Sequence, residues 1–410
     1  MRLFGKQKGG QTVKRVIKIG LEGAVINNNN MGCVALTCSL INLLEQISKE
    51  LVIPFNYYIF EGIEDRKKTD LICQSLQIKN EQISSVSTLH LYRIRSMLRH
   101  PIKACKTIYQ MKECDIFIDL TAGDSFSDIY GKHRFDGTTN IKLMIEQMGI
   151  PLILGPQTYG PFNEERNKNK AKKAIEAAAC VIARDQMSAD YVFEFSRKSI
   201  YVTTDLAFSL PFHKTEVHSD GKIKVGLNAS SLLVKNKTES TETRFKLKTD
   251  YDQYLRELLR ILITDKRYDI YIIPHVDRDA GDELKNEFPN LRYIEPFEEP
   301  ISAKSYISQM DVFIGARMHA TIGAFSSGVA TIPTAYSRKF KGLYENLGYK
   351  YVVDLATLNT QEAVELTIEY VRRYKELKLA VEKCKINVEQ KTKLTHQILY
   401  EQLKKVLAEN

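Results

Sequence analysis

Short apolar runs rich in β-branched residues alternate with longer amphipathic stretches along most of the chain. That alternation predicts an α/β fold of parallel strands covered by helices. Residues 13–19 read as a first strand, followed by an asparagine-rich turn and a helix over 33–48. Further strands are expected at 55–60, 115–120, 152–155, 181–184 and 200–203, with helices between them. Residues 62–100 show no clear period, and a mobile insertion fits them. A second series of strands follows at 223–227, 270–273, 291–294, 312–314, 329–332 and 351–353.

Between the two series, residues 211–221 are polar and irregular, with Pro211, His213, His218 and Gly221 close together. They divide the chain into a first α/β domain (1–210), a linker (211–221) and a second α/β domain (222–358). A charged helical segment follows at 359–410, read as one helix or a helix pair returning across the first domain. Residues 230–249 are rich in Ser, Thr, Lys and Glu and form a long expected loop; such loops are more often functional or mobile than structural. Two α/β domains on a short linker imply a cleft between two sets of strand carboxyl ends. That architecture suits a transferase with one substrate on each domain.

Composition narrows the class only slightly. The hydrophobic fraction of 43% is ordinary for a globular chain. The net charge of +9 favours anionic partners, but it is thinly spread. Its densest cluster, 167–173, follows two glutamates and reads as a solvated helix face rather than a nucleic-acid patch. The seven cysteines are odd in number and never spaced C-x-x-C, so neither a disulfide framework nor a zinc site is expected. The basic start of the chain lacks a following apolar segment, and no window approaches the continuous apolar length of a membrane span. A cytoplasmic protein is expected, with peripheral contact at the inner face of the membrane.

The most chemically informative stretch is 311–348. A buried strand at 312–314 ends at Gly315, a helix runs over 318–327, Gly328 stops it, and another buried strand follows. Arg317 and His319 therefore fall at a strand's carboxyl end where a helix begins. Ligands of open parallel sheets bind there, and a helix amino terminus favours anions. A permanent cation beside an imidazole suggests acid catalysis on an anionic substrate.

Further motifs occur in order along the chain. They are Asn30-Met31-Gly32, Ala122-Gly123-Asp124-Ser125-Phe126-Ser127-Asp128, Gly155-Pro156-Gln157-Thr158-Tyr159-Gly160-Pro161-Phe162, Ala183-Arg184-Asp185 and Thr204-Asp205-Leu206-Ala207-Phe208. Gly226-Leu227-Asn228, Ile273-Pro274-His275-Val276 and the Arg317–Gly348 block, with Tyr336, Lys339 and Phe340, complete the set. Together they resemble the polysaccharide pyruvyl transferase family over about residues 13–350. The resemblance implies two Rossmann-like domains facing a cleft, arranged as in GT-B-like two-domain glycosyltransferases. It also implies transfer of a pyruvyl group from phosphoenolpyruvate to two sugar hydroxyls, giving a cyclic ketal. No metal and no cofactor beyond the phosphoenolpyruvate co-substrate are implied. The acceptor would be a sugar of a cell-surface polysaccharide or exopolysaccharide, or its lipid-linked precursor. One departure stands out: members often carry an acid after the glycine of the first motif, whereas here Cys33 follows Gly32.

On this resemblance His319 is the expected acid, and Arg317 contacts the donor. A bound anion would favour the imidazolium, so donor binding could arm the acid. Arg338 and Lys339 follow the next strand, with Lys339 expected on the phosphate. Asn228, Ser230 and His275 are donor-side candidates. Asp124, Ser125 and Asp128 are acceptor-side candidates, although Asp and Ser in such a turn equally suit a helix cap. Gln157 and Tyr159 are expected to shape the acceptor site, and Arg184 with Asp185 could form a structural ion pair. Asp277 and Asp279 resemble a metal-binding Asp-x-Asp, but two acids in a polar loop are common. Two alternatives remain open: a nucleotide-sugar-dependent glycosyltransferase, and a non-catalytic glycan-pathway protein on the same fold.

Overall fold

The structure is a computed structural model that describes residues 15–61, 64–88, 91, 94–214, 221–231, 233–234, 247–275 and 279–409. The described chain divides into two compact units. One holds residues up to 28 together with 33–210 and 391 onward; the other holds 29–32 and 211–390. The main boundary thus falls between Leu210 and Pro211. Residues 215–220 of the expected linker, and 235–246 of the expected long loop, lie outside the described residues.

The first unit is a seven-stranded parallel sheet, in chain order β1 (Ile17–Glu22), β2 (Phe55–Glu61), β3 (Ile83–Ser87), β4 (Ile116–Asp119), β5 (Leu152–Gln157), β6 (Cys180–Ala183) and β7 (Tyr201–Val202). Its helices are α1 (Met31–Leu51), α2 (Arg66–Leu76), α3 (Ile94–Arg99), α4 (Pro101–Lys112), α5 (Lys132–Gln147), α6 (Glu165–Ala177) and α7 (Gln186–Phe193). The spatial order β3-β2-β1-β4-β5-β6-β7 reverses direction between β1 and β4. Among the described residues, α1 is the one helix long and apolar enough to cross a membrane, and 78% of its most apolar stretch is buried inside the protein. Residues 62–100 supply α2, β3 and α3. Strand β3 is the serine-rich sheet edge Ile-Ser-Ser-Val-Ser, in which only Ile83 and Val86 are buried, so its apolar alternation is too sparse to read.

The second unit is a six-stranded parallel sheet of β8 (Ile223–Asn228), β9 (Tyr268–Ile272), β10 (Arg292–Tyr293), β11 (Val312–Gly315), β12 (Ala330–Ala335) and β13 (Val353–Asp354). The accompanying helices are α8 (Tyr251–Thr264), α9 (Asp279–Glu287), α10 (Pro300–Ile307), α11 (Met318–Ser326), α12 (Arg338–Glu345) and α13 (Thr360–Arg372). The order β10-β9-β8-β11-β12-β13 reverses between β8 and β11. The charged carboxyl-terminal segment is α13 followed by α14 (Tyr374–Glu409), with the break at Arg373.

Strand β1 begins later than the apolar pattern suggests and runs on to Glu22, a carboxylate with only 1% of its surface exposed. Glu22 shares the reversal point of the first sheet with Asp119 and Lys142, both fully buried. The Lys142 ammonium lies 2.9 Å from Asp119 and donates to the Thr121 hydroxyl at 2.7 Å. Thr121 in turn donates to Asp119 at 2.8 Å. These bonds hold a left-handed turn, with φ of +40° at Thr121 and +51° at Ala122. Such angles are costly outside glycine and persist where surrounding bonds fix them.

Burial pushes the Glu22 carboxyl up to about 8; Lys142 opposes the shift and Asp119 adds to it. Between its ordinary value near 4.5 and about 8, folded Glu22 therefore holds a proton that the unfolded chain releases. Its contribution to stability falls as pH rises through that window. Glu22→Gln should lose this dependence and gain on the order of 2 kcal/mol over wild type at pH 8, with little gain at pH 5. Urea unfolding of both proteins at the two pH values measures it, and an equal difference at both would refute the assignment.

Candidate functional site

The carboxyl end of β11 sits at the reversal point of the second sheet, where Gly315 pairs in register with Asn228 of β8. The chain then turns through Ala316 into α11, with Arg317 as the helix cap. The Arg317 side chain makes no capping hydrogen bond to this helix, and the N–H groups of its first turn present the positive end of the dipole. Asn228 fixes the turn: its Oδ1 accepts the Arg317 backbone N–H at 3.2 Å, and its Nδ2 donates to the Ile273 carbonyl at 3.0 Å. Arg317 and His319 are both half-buried, so each combines a protein-defined orientation with access to a ligand. His275 is buried three residues beyond the end of β9. Lys339 is half-buried in the first turn of α12, after β12, the neighbour of β11. The side chain of Arg338 and the whole of Asp277 lie outside the described residues.

Residues 29–32 group with this second unit. A Cβ at Gly32 would collide with the His319 imidazole. The glycine of the Asn-Met-Gly motif therefore makes room for the histidine.

In the first unit, the sequence candidates divide by where their hydrogen bonds run. Asp124 is half-buried and accepts from the Tyr130 hydroxyl at 3.0 Å. Ser125 is nearly buried and accepts from Arg134 at 2.8 Å. Burial, reinforced by Asp124, pushes the Tyr130 phenol up to about 12 and the Cys33 thiol to about 11. Cys33 is consequently a neutral thiol at physiological pH and a poor nucleophile. Asp128 accepts the Asn163 and Glu164 backbone N–H groups at 2.7 and 3.1 Å, and the Asn167 amide at 3.1 Å. Burial works to raise its pKa, yet these bonds hold it below the ordinary carboxylate value. Asp128 thus ties the chain entering α6.

Gln157 and Tyr159 turn inward. Gln157 is fully buried and its Nε2 donates to Asp119 at 2.9 Å. Tyr159 donates to the Ile182 carbonyl at 3.1 Å and packs edge-on to Phe126. Arg184 makes a buried 2.8 Å ion pair with Asp205, while Asp185 caps α7 through the Ser188 N–H. Lys142 and Arg134, which hold the Asp124 turn from α5, carry no distinguishing signal in the sequence; each looks like an ordinary helix-surface cation.

A family model for polysaccharide pyruvyl transferase matches residues 30–338. The chain belongs to the polysaccharide pyruvyl transferase family. No curated protein matches it. Among solved structures, it resembles UDP-GlcNAc 2-epimerase from Neisseria meningitidis bound to UDP-GlcNAc, at 14% identity and a TM-score of 0.60, covering 95% of this chain and 99% of that one. A putative UDP-N-acetylglucosamine 2-epimerase from Listeria monocytogenes has 11% identity and a TM-score of 0.60, covering 90% and 91% respectively. Anabaena HepE in complex with UDP and glucose has 11% identity and a TM-score of 0.55, covering 95% and 100%. At such identities the likeness establishes the fold: two Rossmann-like α/β domains of the GT-B kind. Among the described residues, no group of three or more His, Cys, Asp and Glu is placed to hold a metal ion.

Replacing a helical glycine with alanine ordinarily stabilises by about 1 kcal/mol. At Gly32 the new methyl must displace His319, and overpacking of that kind costs about 1–3 kcal/mol. Gly32→Ala is expected to lower stability or shift the His319 imidazole resonances, measured by urea unfolding and NMR. A stabilised protein with an unchanged His319 spectrum would contradict the contact.

Proposed function

We propose that this protein moves a pyruvyl group from phosphoenolpyruvate onto two hydroxyls of a saccharide, forming a cyclic ketal. The observation that carries the proposal is the joint placement of Arg317 and His319 at the start of α11, at the reversal point of the second sheet. In the overall reaction, the donor's methylene carbon gains a proton and its central carbon forms bonds to two sugar oxygens. The bond to the phosphate oxygen breaks, both hydroxyl protons leave, and inorganic phosphate departs. The sum is redox-neutral and needs no cofactor beyond the donor.

The roles follow from chemistry. His319 is the acid toward the methylene carbon. Arg317 offers a planar fork to the carboxylate, and Lys339 a point charge to the phosphate. Asp124, with Ser125, lies on the acceptor side and accepts hydrogen bonds from sugar hydroxyls; Asp128, Gln157 and Tyr159 support that side by bracing its loops. The acceptor belongs to a cell-surface polysaccharide or exopolysaccharide, or to its lipid-linked precursor. Use of this donor places the reaction in the cytoplasm, and a lipid-linked acceptor would bring the protein to the inner membrane face.

A nucleotide-sugar-dependent reaction is the second reading. It is favoured by a cleft of ≈ 120 Å³ at the ends of β8, β9 and β10, lined by residues including Ala229, Ile273, Pro274, Tyr293 and Glu295. The related solved structures with UDP-sugars share only the fold with this chain. Thermal unfolding with phosphoenolpyruvate against a panel of nucleotide sugars separates the two readings, because a ligand of the folded state raises the midpoint. Stabilisation by a UDP-sugar and not by phosphoenolpyruvate would overturn the proposal.

With an accepted saccharide, His319→Ala should reduce acceptor-dependent phosphate release by about 10²–10⁴-fold while the protein stays folded. Near-wild-type turnover would remove His319 from the mechanism. Asp124→Asn should impair use of the acceptor while phosphoenolpyruvate still raises the unfolding midpoint; loss of donor binding would move Asp124 to the donor side.

A further inference from the structure

Two buried hydroxyls in the second unit have hydrogen-bonding capacity that no described residue uses. Ser230 is fully buried, and among the described residues its Oγ has no hydrogen-bond partner. Tyr251, the first residue of α8, is 1% exposed, and its hydroxyl oxygen accepts the Ser230 backbone N–H at 3.1 Å. That bond occupies the phenol's oxygen and leaves its proton to be donated. Among the described residues nothing accepts it.

Both groups stand beside the β11–α11 turn. Asn228, two residues before Ser230, pairs with Gly315, and its side chain accepts the Arg317 backbone N–H at 3.2 Å. The charge of Arg317 also reaches the Tyr251 phenol: burial pushes the phenol up, while the Ser230 N–H and the Arg317 guanidinium pull the other way. The amino terminus of α11, to which the Arg317 side chain makes no capping bond, begins at the next residue. Ser230, Tyr251, Arg317 and the first N–H groups of α11 each offer a hydrogen-bond donor or a positive charge, and a buried hydroxyl is costly in the absence of a partner.

We propose that Ser230 and Tyr251 form the hydroxyl wall of an anion subsite, donating to oxygens of a phosphate or carboxylate held by Arg317. The identity of that ligand as phosphoenolpyruvate rests on the function proposed above; the subsite itself does not. Tyr251 had no distinguishing mark in the sequence, where it is one tyrosine opening an amphipathic helix.

The test uses the full chain and titration calorimetry with two probes, phosphoenolpyruvate and inorganic phosphate. Tyr251→Phe and Ser230→Ala should each weaken binding about 10-fold or more, the effect of deleting one hydrogen bond to a charged group. Ser230→Ala should leave the unliganded protein as stable as wild type or more so, because it removes a buried hydroxyl that no described residue partners. Tyr254→Phe is the control: it breaks the 2.9 Å bond to Thr367 and should lower stability while leaving affinity unchanged. Should Tyr251→Phe fail to fold, Ser230→Ala alone decides the question. If wild type binds phosphoenolpyruvate and the variants bind it equally, the subsite is refuted and the donor assignment stands. If wild type binds only phosphate and both variants lose it, the subsite stands and the donor assignment falls. If wild type binds neither probe, both are overturned.

Discussion

Two hydrogen bonds from the Asn228 side chain hold the ends of three strands together, and the geometry of the second unit's site depends on them. The amide nitrogen ties β8 to the chain leaving β9, and the amide oxygen ties it to the start of α11. Parallel strands covered on both faces leave little water at their ends, so each backbone group there needs a protein partner. A buried amide, donor at one end and acceptor at the other, satisfies one carbonyl and one N–H at once. Arg317 and His319 inherit their positions from that arrangement.

The first unit meets the same topological problem with charge. Its sheet also reverses at the central strands, but there the Lys142–Asp119 ion pair is buried beside the Glu22 carboxyl, which burial keeps protonated up to about pH 8. Charged groups in such surroundings interact strongly and are costly to leave unpaired. The Lys142–Asp119 pair restrains Thr121, and Thr121 begins the left-handed turn that delivers Asp124 and Ser125. A neutral brace in one unit and an ionic one in the other produce the same outcome, polar side chains presented just beyond the strand ends.

The candidate site was partly legible. Arg317 and His319 could be placed because a strand, a glycine and a helix start are local patterns, and their junction fixes where the next side chains fall. The acceptor-side candidates show the limit. Asp124, Asp128, Gln157 and Tyr159 all follow or end strands and look equivalent as residues. Yet Asp128 ties the approach to a helix, Gln157 braces Asp119, Tyr159 anchors in the core, and Asp124 stays half-exposed. Which way a polar side chain bonds depends on partners tens of residues away, and no local spacing encodes that.

The sequence by itself determined the α/β class, the two series of strands and the family, because hydrophobic period and ordered motifs are properties of short segments. It did not determine that β1 runs on to Glu22, since a carboxylate reads as a strand's end until a lysine on a distant helix and a dry environment are known. It did not reveal β3, whose serines mask the alternation that backbone pairing to β2 makes unnecessary. Nor did it show that Lys142 is interior, that Gly32 clears space for His319, or that Ser230 and Tyr251 meet. Those were decided by tertiary structure, because burial and hydrogen-bond partnership are relations between segments that become neighbours only when the sheets form.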